Sequence, residues 1–336
     1  MGVQAVVTGE RLLITGCSGF IGKSLAKKSI EAGWAVRGTV RSASRVPDLP
    51  AGVEPVVISD IGPGTDWSLA LDGVTVVVHL AARVHQPHNS SRGAHGEYLR
   101  INTAGTAKLA RCAADAGVRR LLLLSTIKVN GEGGARPYTE KDPEDPRGPY
   151  AVSKAEAELV LREISGRTGL ESVILRPPLV YGPGVGANFL QLIRLVEGRI
   201  PLPLGSLVNQ RSMLFIGNLI DAILICLKNP NAGGKTYLVA DDEFVSTPHL
   251  IREIAVLLGM KPRLFSCPPA VLIMAARIAG RREEVYRLMG SLWADTSKIR
   301  QELGWKPEYS FREGLKTTIA WYCATGSNGT RVRRSK

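Results

Sequence analysis

The sequence predicts an α/β protein: a doubly wound parallel sheet followed by a smaller C-terminal domain. Three observations predict it. A short apolar run near the N-terminus breaks into a glycine-rich turn and then a helix. Apolar, strand-length runs then alternate with helical stretches through the first 170 residues. Beyond residue 177 proline becomes more frequent and the elements shorten. At 336 residues, 44% hydrophobic and 22% charged, the chain reads as soluble and globular, with a large core.

Leu12-Leu13-Ile14 is the first strand, and the helix after it ends near Ala32-Gly33. Between them lies Thr15-Gly16-Cys17-Ser18-Gly19-Phe20-Ile21-Gly22. Gly16 lets the chain leave the strand sharply, Gly19 lets the backbone approach a diphosphate, and Gly22 lets the helix pack close to the sheet. Helix N-terminal amides then favour the anion. This is half of a Rossmann nucleotide-binding unit, with G-x-x-G-x-x-G spacing. The second strand, residues 35–41, has no Asp or Glu at its end to hold ribose hydroxyls. Arg41, with Ser42 and Arg45 beyond it, takes that place and favours NADP over NAD as cofactor.

The third strand, residues 56–61, carries Asp60, suited to accept from an adenine amino group or to cap the next turn. The fourth, residues 74–82, is apolar enough to be central and ends in small residues that leave room at the carboxyl edge. His79 reads as a packed strand-end histidine. His85, His88 and His95 lack metal-ligand spacing, so no metal is expected. A helix over 98–116 contains Asn102, and a fifth strand over 120–126 ends in Thr126. Residues 131–148, rich in glycine, proline and charge, read as a surface loop able to move over the site.

Pro149-Tyr150-Ala151-Val152-Ser153-Lys154 opens a helix over 150–165. Positions i and i+4 share a helical face, so Tyr150 and Lys154 converge. A phenol near pKa 10 is a poor acid or base at neutral pH, and an adjacent ammonium is expected to lower that value. Lys154 also reaches toward a nicotinamide ribose, and Thr126 supplies a hydroxyl to orient a substrate oxygen. The five cysteines are scattered with no C-x-x-C pair, pointing to a reducing compartment. No apolar run is long enough to span a membrane and no secretory signal opens the chain, so a cytoplasmic location is expected. The net charge of +13 points to anionic partners; without a nucleic-acid-binding motif, we expect nucleotides rather than nucleic acid. Residues 268–282 are unusually apolar and end in Arg281-Arg282, suggesting a packed helix or weak peripheral contact with anionic lipid.

These motifs together resemble the extended short-chain dehydrogenase/reductases, in the sugar-nucleotide epimerase/dehydratase group. The resemblance runs from Leu12 to about Phe311 and adds His79-Leu80-Ala81-Ala82, Asn102 with Gly105-Thr106, Arg176-Pro177-Pro178 through Gly184, and Asp295-Thr296-Ser297-Lys298. It implies dinucleotide contacts at Gly16, Ser18, Gly19, Phe20, Ile21, Gly22, Asp60, Ile61, Leu80, Ala81, Ala82, Asn102, Lys154 and Pro177. It implies catalysis by Thr126, Tyr150 and Lys154, with Thr126 where the family carries serine. It implies UDP-sugar contacts at Asn188, Arg211 and Asp295, and a helix-pair homodimer. Ser125-Thr126-Ile127-Lys128-Val129-Asn130-Gly131 resembles a bacterial surface-polysaccharide (O-antigen) branch that includes 4-ketoreductases and proteins labelled UDP-glucose 4-epimerase-like. The expected activity is NAD(P)-dependent reduction of a UDP-linked 4-keto-6-deoxy-N-acetylhexosamine. The alternatives are a UDP-hexose 4-epimerase and a non-catalytic dinucleotide sensor or scaffold. The expected division is a dinucleotide domain over 11–176 with part of 212–245, a substrate domain over 177–211 and 246–323, and a disordered basic tail over 324–336.

Overall fold

The computed structural model describes residues 9–84, 92–278 and 288–330; His85, His88, Arg281, Arg282 and residues 331–336 lie outside them. Six strands come from the first half: β1 (Arg11–Thr15), β2 (Ala35–Val40), β3 (Val53–Val57), β4 (Val76–His79), β5 (Arg120–Leu124) and β6 (Glu171–Arg176). β7 (Leu179–Tyr181) and β8 (Arg211–Phe215) follow, then β9 (Lys235–Leu238) and β10 (Phe244–Val245). The large sheet has the order β3-β2-β1-β4-β5-β6-β9 and is parallel throughout. Its strands alternate between two cores. Leu12, Ile14, Val76, Val78 and Leu122 face one, while Leu13, Val77, Leu121 and Leu123 face the other. Burial on both faces is why these runs are continuously apolar.

Strand order reverses between β1 and β4, which opens a crevice at their carboxyl ends. The helices that border it are α1 (Phe20–Glu31) on one side, and α3 (Arg92–Tyr98), α4 (Gly105–Asp115) and α5 (Gly148–Arg167) on the other; α2 (Ser68–Leu71) is a single turn between β3 and β4. α3 and α4 are joined through a π-wound turn, Leu99–Ala104, so the helix expected over 98–116 starts earlier and widens at Asn102.

Several elements are shorter than the apolar runs implied. β3 ends at Val57, so Asp60 and Ile61 lie in the following turn. β4 ends at His79, and Leu80-Ala81-Ala82 leave the ladder along the crevice. The 131–148 segment is no free flap. Tyr138 N–H donates to the Trp293 carbonyl (2.9 Å), Asp295 N–H donates to the Tyr138 carbonyl (2.8 Å), and Glu140 accepts from Leu238 N–H (2.7 Å).

The second half builds a three-stranded sheet, β10-β8-β7, with α6 (Ala187–Glu197), α8 (Thr247–Leu257) and α9 (Pro269–Ile278). α7 (Ile216–Lys228) packs on α1, and β9 completes the large sheet, so the chain re-enters the first layer. α10 (Ser297–Leu303) precedes α11 (Phe311–Thr330). α11 continues past residue 324, where a tail was expected, because Leu315, Ile319 and Tyr322 recur at helical spacing on the core.

Candidate active site

The glycine turn has the shape its spacing requires. Gly16 has φ +71°, and a Cβ there would lie 3.0 Å from Ala81 N. At Gly22 a Cβ would lie 2.3 Å from the Gly16 carbonyl oxygen, so only glycine lets α1 sit this close. Gly19 N–H donates to the Gly16 carbonyl (3.0 Å), closing the turn. α1 carries no side-chain cap and no acid in its first turn, which leaves its N-terminus suited to an anion. Ser18, Phe20 and Ile21 are half-buried around it. This cradle fits a dinucleotide's diphosphate. Burial pushes the Cys17 thiol up to about 12, so it packs rather than reacts.

α5 begins with Pro149 near its N-terminus, where proline's fixed φ suits the first turn. It packs on the π-turn and on the short helical turn Ile127–Val129 that follows β5, with Tyr150 against Tyr98 and Lys154 acting on His79 at the end of β4. Thr126 is 9% exposed there, and its Oγ1 accepts from Lys128 N–H at 3.3 Å. Ile127 N–H donates to the Pro177 carbonyl (2.9 Å), fixing this turn to the chain beyond β6.

Burial pushes Lys154 down to about 8, with Glu158 opposing the shift. It pushes Tyr150 up to about 12, reinforced by Tyr98, whose ring meets Tyr150 edge-on at 6.4 Å. The expectation that Lys154 lowers the tyrosine pKa is therefore corrected: burial and then Tyr98 set its direction, and both raise it. His79 is buried at the end of β4 and pushed down to about 3, first by burial and then by Lys154. Its Nδ1 is 2.7 Å from Thr15 Oγ1, which also accepts from Ala81 N–H (3.2 Å), while Nε2 has no hydrogen-bond partner among the described residues. This pairing anchors the Leu80–Ala81 backbone beside Gly16.

Three sequence-derived assignments find other partners. Asn102 is 1% exposed and its amide is spent on protein groups: Nδ2 donates to Ser153 Oγ (2.9 Å) and the Arg83 carbonyl (3.1 Å), and Oδ1 accepts from Arg83 N–H (2.8 Å). It ties the chain after β4 to α5, and no donor is left for a dinucleotide. Asp60 is engaged by both Arg100 Nη groups (2.5 and 3.1 Å), which hold it below the usual carboxylate range, with Arg41 adding a smaller pull. Asp295 Oδ1 accepts from Ser297 N–H (2.7 Å), just ahead of α10, whose N-cap is Thr296.

Ile61 packs on Gly105, where a Cβ would lie 2.7 Å from Ile61 Cγ2. Leu80, Ala81 and Ala82 are half-buried, and Arg41 is exposed. Asn188 is exposed in the first turn of α6. Arg211 opens β8 and donates to the Gly290 carbonyl (3.1 Å); burial holds its guanidinium below the usual value, opposed by Glu132. Among the described residues no cluster of three His, Cys, Asp or Glu side chains is arranged to hold a metal.

One group was missed. Glu158, fully buried, accepts from Ser125 Oγ, from Arg176 Nε (3.0 Å) and Nη2 (2.6 Å), and from Arg162 (2.7 Å). Arg176 also donates to Asn130 Oδ1 (3.0 Å) and pairs with Glu144. The network bolts α5 to the ends of β5 and β6. Its signal was in the sequence, since Glu158 repeats the four-residue spacing of Tyr150 and Lys154.

A parallel sheet with this glycine cradle, and a tyrosine and lysine on one helix beside its switch point, defines a dinucleotide-dependent enzyme of the extended short-chain dehydrogenase/reductase type. Residues 12–240 match the NAD dependent epimerase/dehydratase family, and the chain belongs to it. It is 39% identical to a UDP-glucose 4-epimerase of Vibrio cholerae, over 93% of this chain and 96% of that one. Among solved structures it resembles MoeE5 in complex with UDP-glucose and NAD, with TM-score 0.76 and 26% identity, covering 94% of this chain and 99% of that one. It also resembles the dTDP-glucose 4,6-dehydratase DesIV of Streptomyces venezuelae with NAD and TYD bound, with TM-score 0.77 and 25% identity, covering 96% and 100%.

Proposed function

We propose that this enzyme reduces the 4-keto group of a UDP-linked 6-deoxy-N-acetylhexosamine, a step in building a surface polysaccharide. One observation carries the reading. α5 carries Tyr150 and Lys154 one turn apart and packs on the turn that follows Thr126, and burial pushes the phenol up to about 12, so that it is in the protonated form that can donate to a carbonyl oxygen. The nicotinamide dinucleotide, when bound, supplies the hydride. Tyr150 supplies the proton to O4, so ketone, hydride and proton together give the alcohol. The Lys154 ammonium holds the ribose and favours the tyrosinate left after proton transfer, and the Thr126 hydroxyl orients O4. Arg211 and Asn188 hold the substrate diphosphate, for which a guanidinium fork is well matched. Arg41, with no acid at the end of β2, favours the 2′-phosphate of NADP, with NAD as the other cofactor.

A second reading, a UDP-hexose 4-epimerase, is favoured by the Vibrio cholerae relative. One incubation separates them. With UDP-4-keto-6-deoxy-N-acetylglucosamine and NADPH or NADH, the reductase oxidises one nicotinamide per sugar consumed. Interconversion of UDP-hexose C4 epimers without net nicotinamide oxidation selects the epimerase. Arg41→Asp is expected to weaken NADPH binding more than NADH binding. An unchanged preference removes the arginine argument. For assembly, we propose that a second copy packs on the groove between α4 and α5, about 390 Å³, lined by Leu99, Thr103, Arg111 and Val160. Sedimentation equilibrium checks it, and a monomer at all concentrations rejects it.

A further inference from the structure

An apolar stripe lies on α9, in the second half of the chain. α9 buries Leu272, yet Val271, Met274 and Ile278 are 46%, 60% and 83% exposed. Their i, i+3, i+7 spacing confines them to an arc of roughly 60° at about 100° per residue. Phe265, just before the helix, is 50% exposed, and Leu288 on the returning chain is 41% exposed. Scattered exposed apolar residues need no explanation, but three on one arc of a helix with a fourth, Phe265, just before it do.

The charges before and within α9 are basic, and Arg281 and Arg282 follow it ahead of Glu283 and Glu284. Lys261, Arg263 and Arg277 are exposed, and residues 258–278 contain no Asp or Glu. The stripe is also held in place. Gly205 N–H donates to the Phe265 carbonyl (3.0 Å) and Ser206 Oγ to the Cys267 carbonyl. On the returning side, Asn209 Nδ2 donates to the Leu288 carbonyl (2.9 Å) and Arg211 to the Gly290 carbonyl (3.1 Å). Both ends of the segment are thereby fixed to residues 205–211, which lead into β8. No helix among the described residues is long and apolar enough to cross a bilayer. A short helix with an apolar stripe and a predominantly basic border is instead the arrangement that lies in a bilayer interface, apolar side inward and cations on anionic headgroups.

We infer that α9 and the flanking Phe265 dock this enzyme reversibly on an anionic lipid surface, with Val271, Met274 and Ile278 entering the headgroup boundary and Lys261, Arg263 and Arg277 contacting lipid phosphates. A basic, membrane-facing rim beside Arg211 would hold the sugar-nucleotide chemistry next to the bilayer. The inference does not depend on which reaction the site performs.

Co-sedimentation of the full chain with phosphatidylglycerol-containing vesicles and with pure phosphatidylcholine vesicles tests it. Binding is expected to the anionic vesicles, to weaken as salt rises, and to fall roughly tenfold in Val271→Ser/Met274→Ser/Ile278→Ser. Arg277→Glu alone is expected to weaken it severalfold, so the result does not rest on the triple variant folding. Both variants should retain wild-type turnover of soluble UDP-sugar. Three outcomes overturn the inference: no binding to anionic vesicles, equal binding to neutral vesicles with no salt dependence, or variants that bind as wild type. Concentration-dependent self-association that the triple variant abolishes, without vesicle binding, would show that the stripe covers a second copy instead.

Discussion

Tyr150 and Lys154 are pushed in opposite directions by the same desolvation, the phenol up to about 12 and the ammonium down to about 8. The alkaline limb of kcat/KM is therefore expected near 8, where Lys154 loses the charge that stabilises the tyrosinate. Glu158 raises the lysine's value, so Glu158→Gln should move that limb to lower pH. A limb unmoved in that variant would assign it to another group. His79 provides a matching stability test. It ionises near 6.5 unfolded and near 3 folded, so between those values the unfolded chain binds the extra proton and stability falls as pH falls. His79→Gln should flatten the acid side of a melting-temperature profile between pH 6.5 and 4, and an identical profile would contradict the burial argument.

α5 is the element on which the site depends, and its position is set by charge as well as packing. Glu158→Ala would leave Arg176, only 2% exposed, without its main counter-ion and is expected to cost about 3–5 kcal/mol of stability by denaturant unfolding. A loss under about 1 kcal/mol would mean that the network is incidental. This is also where sequence reading reached its limit. The β1–turn–α1 unit and the Tyr150–Lys154 face were legible because each is written in local spacing, of glycines in one and of a helical turn in the other. The roles of Asn102, Asp60 and Asp295 were not, because their partners Ser153, Arg100 and Ser297 are chosen by tertiary approach or by a helix start that periodicity does not mark. Strands were read too long for a related reason: apolar residues such as Leu80–Ala82 continue past the last ladder bond to line the crevice.

At the scale of the whole molecule, the two sheets meet at Asp241. Its buried carboxylate accepts from Phe215 N–H (3.0 Å), Asn218 Nδ2 (2.7 Å) and Tyr181 Oη (3.0 Å), so the loop after β9 grips β7, β8 and the start of α7. Asp241→Ala orphans three buried donors, each worth about 1–3 kcal/mol, and should lower the urea midpoint markedly or broaden the transition as the second half loosens. An unchanged midpoint would show that this junction is held by packing alone. The re-entry of α7 and β9 into the first layer was partly legible, since the stretch 212–245 carries helix and strand patterns, but the small sheet's pairing was not. The proposal that these parts act together on a UDP-sugar rests on one phenol. Dinucleotide affinity and 4-keto-sugar turnover of Tyr150→Phe, measured side by side with wild type, test it most directly. The account predicts affinity within about twofold and turnover lower by about 10²–10⁴-fold. Turnover at the wild-type level, with the dinucleotide bound, would contradict it.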